Sequence, residues 1–220
     1  MLYAPKTPWW LKKLYPHLTW SLPPGDEKNL YLTFDDGPTE HITHFILDEL
    51  KKYNAKASFF CIGKNVQEHP AIYQSILAEG HATGNHTHHH LNGWKTTDQA
   101  YVADIAEAAT LIHSQLFRPP YGRIRRSEAR ELLHPAAGSP FSIIMWDVLS
   151  GDFDTSLEPG KCLRNVLTHA KPGSIIVFHD SLKAWDRMSF ALPRVLEHFS
   201  SKGFNFRCLP QSPFPANFAG

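Results

Sequence analysis

Short apolar runs bounded by turn residues recur along this chain, and nearly every one leads into a stretch with helical spacing. Runs at 30–34, 57–62, 82–85, 117–118, 141–146, 174–179 and 204–209 read as strands. Stretches at 40–53, 66–79, 96–116, 127–133, 159–169 and 190–201 read as helices. Gly80 and Gly203 supply stop signals, and Thr96-Thr97-Asp98-Gln99 has the form of a capping box. Strands that alternate with helices must run parallel, because a helical crossover returns the chain to the same end of the sheet.

The expected fold is therefore α/β: a distorted seven-stranded (β/α) barrel of parallel strands with outer helices. An open doubly wound sheet is the alternative. Either architecture places functional residues just past the carboxyl ends of the strands. At 220 residues with 42% hydrophobic content, the chain can bury one sizeable core. Residues 1–26 carry Trp9, Trp10, Trp20, five prolines and Lys12-Lys13. They read as an arm that packs its aromatics against a main domain spanning 27–210, or that lies at a membrane surface. Residues 211–220 read as an irregular tail.

Several partners are disfavoured. A net charge of +1 gives no reason to expect nucleic acid. No apolar run approaches the ~20 residues of a membrane span. No glycine-rich phosphate loop follows a strand. The first twenty residues lack a charged start followed by an apolar core, so a cytoplasmic location is expected. Cys61, Cys162 and Cys208 are far apart with no C-x-x-C spacing, and read as buried free thiols.

The polar groups collect where the strands end. The first run ends in Thr33-Phe34-Asp35-Asp36-Gly37-Pro38. Adjacent carboxylates on a strand diverge, but a turn that begins inside the pair can aim both into one cleft. Past the third strand lies Asn85-His86-Thr87-His88-His89-His90, past the fourth Arg118-Pro119-Pro120-Tyr121-Gly122, and past the sixth Phe178-His179-Asp180. His86 and His90, four apart, read as neighbours on a helical turn that with one carboxylate could hold a divalent metal with an open position. His88 and His89 stay open as ligands. Zinc fits such a set best, with cobalt, nickel or manganese as alternatives. The other histidines, His81 among them, read as surface residues. Trp94 and Trp185 read as loop aromatics suited to stacking on sugar rings.

This order of motifs resembles the NodB-homology polysaccharide deacetylases, carbohydrate esterase family 4, over roughly residues 30–209. Thr33–Pro38 matches the first motif, T-F-D-D-G-P; His86-Thr87-His88-His89-His90 the second, H-[ST]-x-x-H; Arg118-Pro119-Pro120-Tyr121 the third, R-x-P-Y. Val177-Phe178-His179 is similar to the fifth, L-x-H. The fourth, D-x-x-D-W, departs: its window here is Leu149-Ser150-Gly151-Asp152-Phe153. The family's first carboxylate there is taken to tether the motif-three arginine. Asp147, two residues earlier and so facing the same way on a strand, is the expected substitute, ahead of Asp152 or Asp154.

The resemblance implies that Asp36, His86 and His90 hold the metal, that Asp35 is the general base and that His179 is the general acid. It further implies that the Tyr121 N–H stabilises the oxyanion, that Thr87 stiffens the histidine loop and that Arg118 orients Asp35. The implied substrate is an N-acetylated glycan of peptidoglycan or chitin type. An O-acetyl ester, a small amide, or a weakened carbohydrate-binding role are the alternatives.

Overall fold

The computed structural model describes residues 4–136 and 138–211. In chain order the elements are α1 (Trp9–Leu14), β1 (Asn29–Asp35), α2 (Ile42–Lys52), β2 (Ser58–Cys61), α3 (Gly63–Glu68), α4 (Pro70–Ala78), β3 (Ala82–Asn85) and α5 (Asp98–Ala109). They continue with β4 (Leu116–Phe117), α6 (Arg126–Leu133), β5 (Ser142–Ile143), β6 (Val148–Leu149), α7 (Pro159–His169), β7 (Ile175–His179), α8 (Trp185–Ser201) and β8 (Asn205–Phe206). The strands run parallel in the order β5-β4-β3-β2-β1-β7-β6, with β8 added beside β1. β1 is central, and Leu30, Leu32, Thr33 and Phe34 are all buried, as a strand covered on both faces requires. Phe34 stacks on Phe59 at 5.1 Å and on Phe178 at 6.1 Å, which ties β1 to both neighbours.

The expected fifth strand, 141–146, divides. Its first half, β5, pairs with β4; the second half, β6, begins only at Val148 and pairs with β7. One short segment thus runs from one edge of the curled sheet to the other, and residues 144–147 bridge the seam. The N-terminal arm lies along that seam. The Thr19 N–H donates to the Ile143 carbonyl (2.9 Å), and the Met145 N–H to the Thr19 carbonyl (2.7 Å). The Thr7 N–H donates to the Asp147 carbonyl (2.9 Å), and the Leu149 N–H to the Pro5 carbonyl (2.8 Å). Backbone groups with no strand beside them are satisfied by the arm.

A buried ion cluster fastens the arm. The Asp147 carboxylate, wholly buried, accepts from Lys6 Nζ and Lys12 Nζ, each at 2.5 Å, and from Ser174 Oγ at 2.5 Å. Of the arm aromatics, Trp20 is buried, whereas Trp9 and Trp10 are exposed. Removing one side of a buried ion pair leaves an uncompensated charge and costs about 3–5 kcal/mol. The Lys6→Met, Lys12→Met double variant is therefore expected to lose about 3 kcal/mol of stability, read from its denaturant midpoint.

Other boundaries shift for local reasons. The expected helix 66–79 is two helices, because Pro70 restricts the preceding His69, which sits at φ −127° and ψ 56°. The expected helix 96–116 ends at Ala109, and its cap is Thr97, whose Oγ1 accepts from the Ala100 N–H. His81, expected at the surface, is buried, and its Nδ1 accepts from the Ala57 N–H at 3.2 Å. Burial pushes its pKa down to about 4, with Lys56 adding to the effect. All three cysteines are free; Cys61 and Cys162 are buried and Cys208 is half-buried. Among the described residues no helix is long and apolar enough to cross a membrane.

Candidate active site

The ends of β1, β3, β4 and β7 open on one cleft. β1 ends at Asp35, and the chain turns inside the carboxylate pair because Asp36 takes a left-handed φ of 82°. Six non-glycine residues among those described have such a φ, and Asp36, Thr87, His90 and Tyr121 are four of them. Backbone strain concentrated in this way is what a pre-set site stores. Gly37 follows because nothing larger fits: a Cβ there would lie 2.2 Å from Asp180 Oδ2. The Asp180 N–H donates to the Asp35 carbonyl at 2.7 Å, and its carboxyl shares a 2.6 Å hydrogen bond with Thr43. Burial raises the Asp180 pKa to about 8 against the opposing Thr43 bond, and Asp36 pushes the same way as burial.

Asp36, His86 and His90 converge, each offering one donor atom within 4.8 Å of the others. Asp36 Oδ1 lies 3.7 Å from His86 Nε2 and 3.2 Å from His90 Nε2, and it is a buried oxygen without a hydrogen bond of good geometry. His86 Nδ1 sits 2.7 Å from the Arg118 carbonyl. Donating its proton there leaves the Nε2 lone pair facing Asp36, the tautomer that a metal ligand needs. Burial, with His90 adding to it, lowers the His86 pKa to about 4 against the pull of Asp35 and Asp36, so this imidazole is neutral. Burial pushes Asp36 up, but the neighbouring His90 and His179 outweigh it and hold the carboxyl well below its usual range. A buried orphan oxygen facing two imidazole nitrogens fits a divalent cation.

The spacing of four does not come from a helical turn. Residues 86–90 form an irregular loop in which Thr87 (φ 64°) and His90 (φ 57°) reverse the chain. Thr87 braces it: its N–H donates to Asn85 Oδ1 (2.8 Å), and its Oγ1 accepts from the Leu91 N–H (3.2 Å). His88 and His89 lie instead against Glu107 and Asp104.

Two ion pairs face this cleft. Arg118 is fully buried; its Nη1 donates to Asp35 Oδ1 (2.6 Å) and Thr33 Oγ1 (2.7 Å). Its Nε and Nη2 donate to the carbonyls of Ile144 (3.2 Å) and Met145 (3.0 Å). Asp147 is not its partner. The strand is broken between Ile143 and Val148, so alternation does not carry across it, and Asp147 sits in the seam turned toward the arm. Burial pulls the Arg118 pKa down, and Asp35 opposes that. The second pair is His179–Asp152. Buried Asp152 takes His179 Nδ1–H on Oδ1 (2.7 Å) and the His179 backbone N–H on Oδ2 (2.6 Å). Burial lowers the His179 pKa, but Asp152, with Asp36 and Asp35 beyond it, raises it on balance to about 9. Sequence reasoning missed this role for Asp152. A histidine that ends a buried strand must find an acceptor for its second ring nitrogen, and that requirement was the available signal.

Tyr121 places its ring 4.7 Å from that of His90. Gly122 follows at φ 65°, where a Cβ would strike the Trp146 ring at 2.5 Å. Trp94 is exposed, with its Nε1–H on the Ile124 carbonyl (3.2 Å) and the Arg123 guanidinium 4.6 Å from its ring. Trp185 is not in a loop: it opens α8 and packs edge-on against Phe45 at 5.1 Å.

A carboxylate and two imidazoles that could hold a metal, flanked by an Arg-held carboxylate and an Asp-held imidazole on the rim of an α/β barrel, are the arrangement of a metal-dependent hydrolase. Comparison narrows the class. The sequence pattern described as polysaccharide deacetylase matches residues 23–134. A peptidoglycan-N-acetylglucosamine deacetylase of Bacillus cereus is 32% identical over 204 residues, 89% of this chain and 93% of that protein. A chitooligosaccharide deacetylase of Rhizobium leguminosarum bv. trifolii is 31% identical over 202 residues, 85% of this chain and 93% of its own length. The crystal structure of the Bc1960 peptidoglycan N-acetylglucosamine deacetylase, in complex with a naphthyl hydroxamate, superposes with a TM-score of 0.80 at 32% identity over 93% of this chain and 95% of that one. The chain belongs to the polysaccharide deacetylase family, whose members are generally metal-dependent.

Proposed function

We propose that this protein removes N-acetyl groups from GlcNAc-type units of a peptidoglycan- or chitin-like glycan, releasing acetate and a free amino sugar. The observation that carries the reading is the opposition of two held groups across one triad. The Asp35 carboxyl is gripped by Arg118, and the His179 imidazole by Asp152, whose carboxylate raises its pKa to about 9. Amide hydrolysis needs both: a base for the attacking water and an acid for the departing amine.

Asp36, His86 and His90 are assigned as the ligands of one divalent cation. Zinc suits two imidazoles and a carboxylate best, with cobalt, nickel or manganese as alternatives. When bound, such an ion supplies Lewis-acid polarisation of the acetyl carbonyl and acidifies the attacking water. The remaining work is done by side chains. With one oxygen of Asp35 held by Arg118 at 2.6 Å, the other is free to take the water proton. His179, its Nδ1–H on Asp152, presents Nε2–H to the leaving nitrogen. The Tyr121 N–H is assigned to the carbonyl oxygen as it gains charge. Trp94, exposed on the rim, is assigned to the sugar face.

Dialysis against a chelator is expected to abolish acetate release from acetylated chitooligosaccharides and peptidoglycan fragments. One equivalent of zinc or cobalt should restore it. Acetate release that persists at full rate in metal-free protein would overturn the reading, and acetylxylan and small amides in the same assay separate N- from O-deacetylation.

A further inference from the structure

We infer that the outer face of the histidine loop carries a second divalent-cation site, made by His88, His89 and Glu107. It stands on different residues from the catalytic triad and does not rest on the deacetylase reading. One donor atom from each of the three lies within 4.8 Å of the others. The loop sorts its imidazoles by side: His86 and His90 face Asp36, and His88 and His89 face α5, their rings 4.6 Å apart and 64° to one another.

Asp104 prepares this site as an outer carboxylate prepares a metal-binding histidine. Its Oδ2 accepts the backbone N–H groups of His88 (2.8 Å) and His89 (3.0 Å), which fixes both main-chain positions. Its Oδ1 lies 2.6 Å from His89 Nδ1. With that nitrogen donating its proton, the His89 Nε2 keeps a free lone pair. His88 is buried, and its Nδ1 is walled in by Gly63, where a Cβ would come within 2.5 Å. Its Nε2 therefore faces outward and lies 3.5 Å from Glu107 Oε1, at the outer limit of a hydrogen bond. Glu107 stands one turn along α5 from Asp104, so a single helix face supplies both the bracing and the ligating carboxylate.

Two imidazoles and one carboxylate select a borderline cation such as zinc, nickel or copper over magnesium or calcium. His89 and Glu107 are both more than half exposed, so this site is the weaker of the two. Its occupancy clamps the outer side of the loop that presents His86 and His90 inward.

Calorimetric titration of the metal-free full chain with zinc tests it. The wild type should take two equivalents in two affinity classes. His89→Gln with Glu107→Gln should take one and keep full deacetylase activity at that stoichiometry; both residues are exposed, so the fold is preserved. His86→Gln with His90→Gln should keep one equivalent, in the weaker class. A wild type that binds a single equivalent overturns the inference. So does any stoichiometry from which the His89/Glu107 changes fail to subtract one.

Discussion

Replacing Asp35 by asparagine is expected to cut kcat/KM for acetate release by about 10³-fold, within the 10²–10⁴ range of general-base catalysis. Zinc affinity at Asp36, His86 and His90 should be unchanged. The distinction matters because Asp35 and Asp36 are neighbours in sequence with different partners. Asp35 is bound to Arg118, and Asp36 faces two imidazoles. The amide cannot take the water proton, but its oxygen can still accept from Arg118 Nη1. The guanidinium also keeps Thr33 Oγ1 and the carbonyls of Ile144 and Met145. Its lost counter-charge lowers stability, so the denaturant midpoint belongs beside the kinetics. A loss of less than tenfold in folded, zinc-loaded protein would remove Asp35 from the role of base.

The second large effect is a displaced pH profile. Asp152→Asn should bring the basic limb of kcat down in pH. The sign follows from the direction of the shift. In its proposed role as acid His179 works only while protonated, so activity should fall as pH rises through its pKa. Burial alone would lower that pKa, and the Asp152 carboxylate is the main reason that it stands near 9. Without the charge it should return toward the ordinary value of about 6.5 or below. At pH 8.5 the protonated fraction then drops by about 10²-fold, while at pH 6 the loss is much smaller. A uniform loss at every pH would instead show that Asp152 only holds the ring in place.

The residue types of the site were legible because each sits beside the end of an apolar run. Asp35, Asp36, His86, His90, Arg118 and His179 all lie in the cleft where that rule put them. What was not legible is how they get there. His86 and His90 meet through left-handed turns at Thr87 and His90, and no periodicity announces those. Asp147 is the residue expected beside Arg118, ahead of Asp152 or Asp154, and no partner is expected for His179; Asp147 instead holds the arm's lysines, and Asp152 holds His179. Two-residue strands leave too short an apolar signature to show that the chain breaks between Ile143 and Val148, so strand parity was applied across a gap. The break also explains why Leu149 costs Arg118 nothing: main-chain carbonyls of residues 144 and 145 do the holding. His81 was misjudged because a polar residue name says nothing of burial when one ring nitrogen can accept from the backbone.

The arm that lies along the seam has a consequence for how the chain assembles. Synthesis makes Pro5 to Ser21 well ahead of their hydrogen-bonding partners, which lie at Ile143–Leu149 and Gly173–Ser174. This segment must therefore wait until those later residues have been made before it finds its place. Contacts this distant in sequence close late and slow folding, since the entropy of a long loop is lost before the contact stabilises anything. The carbonyls that hold Arg118 belong to that same late-closing segment. The β1–β7 pairing at the centre of the core joins residues just as far apart, Thr33 with Val177, so the core, the arm and the grip on Arg118 all wait for the same late-made strands.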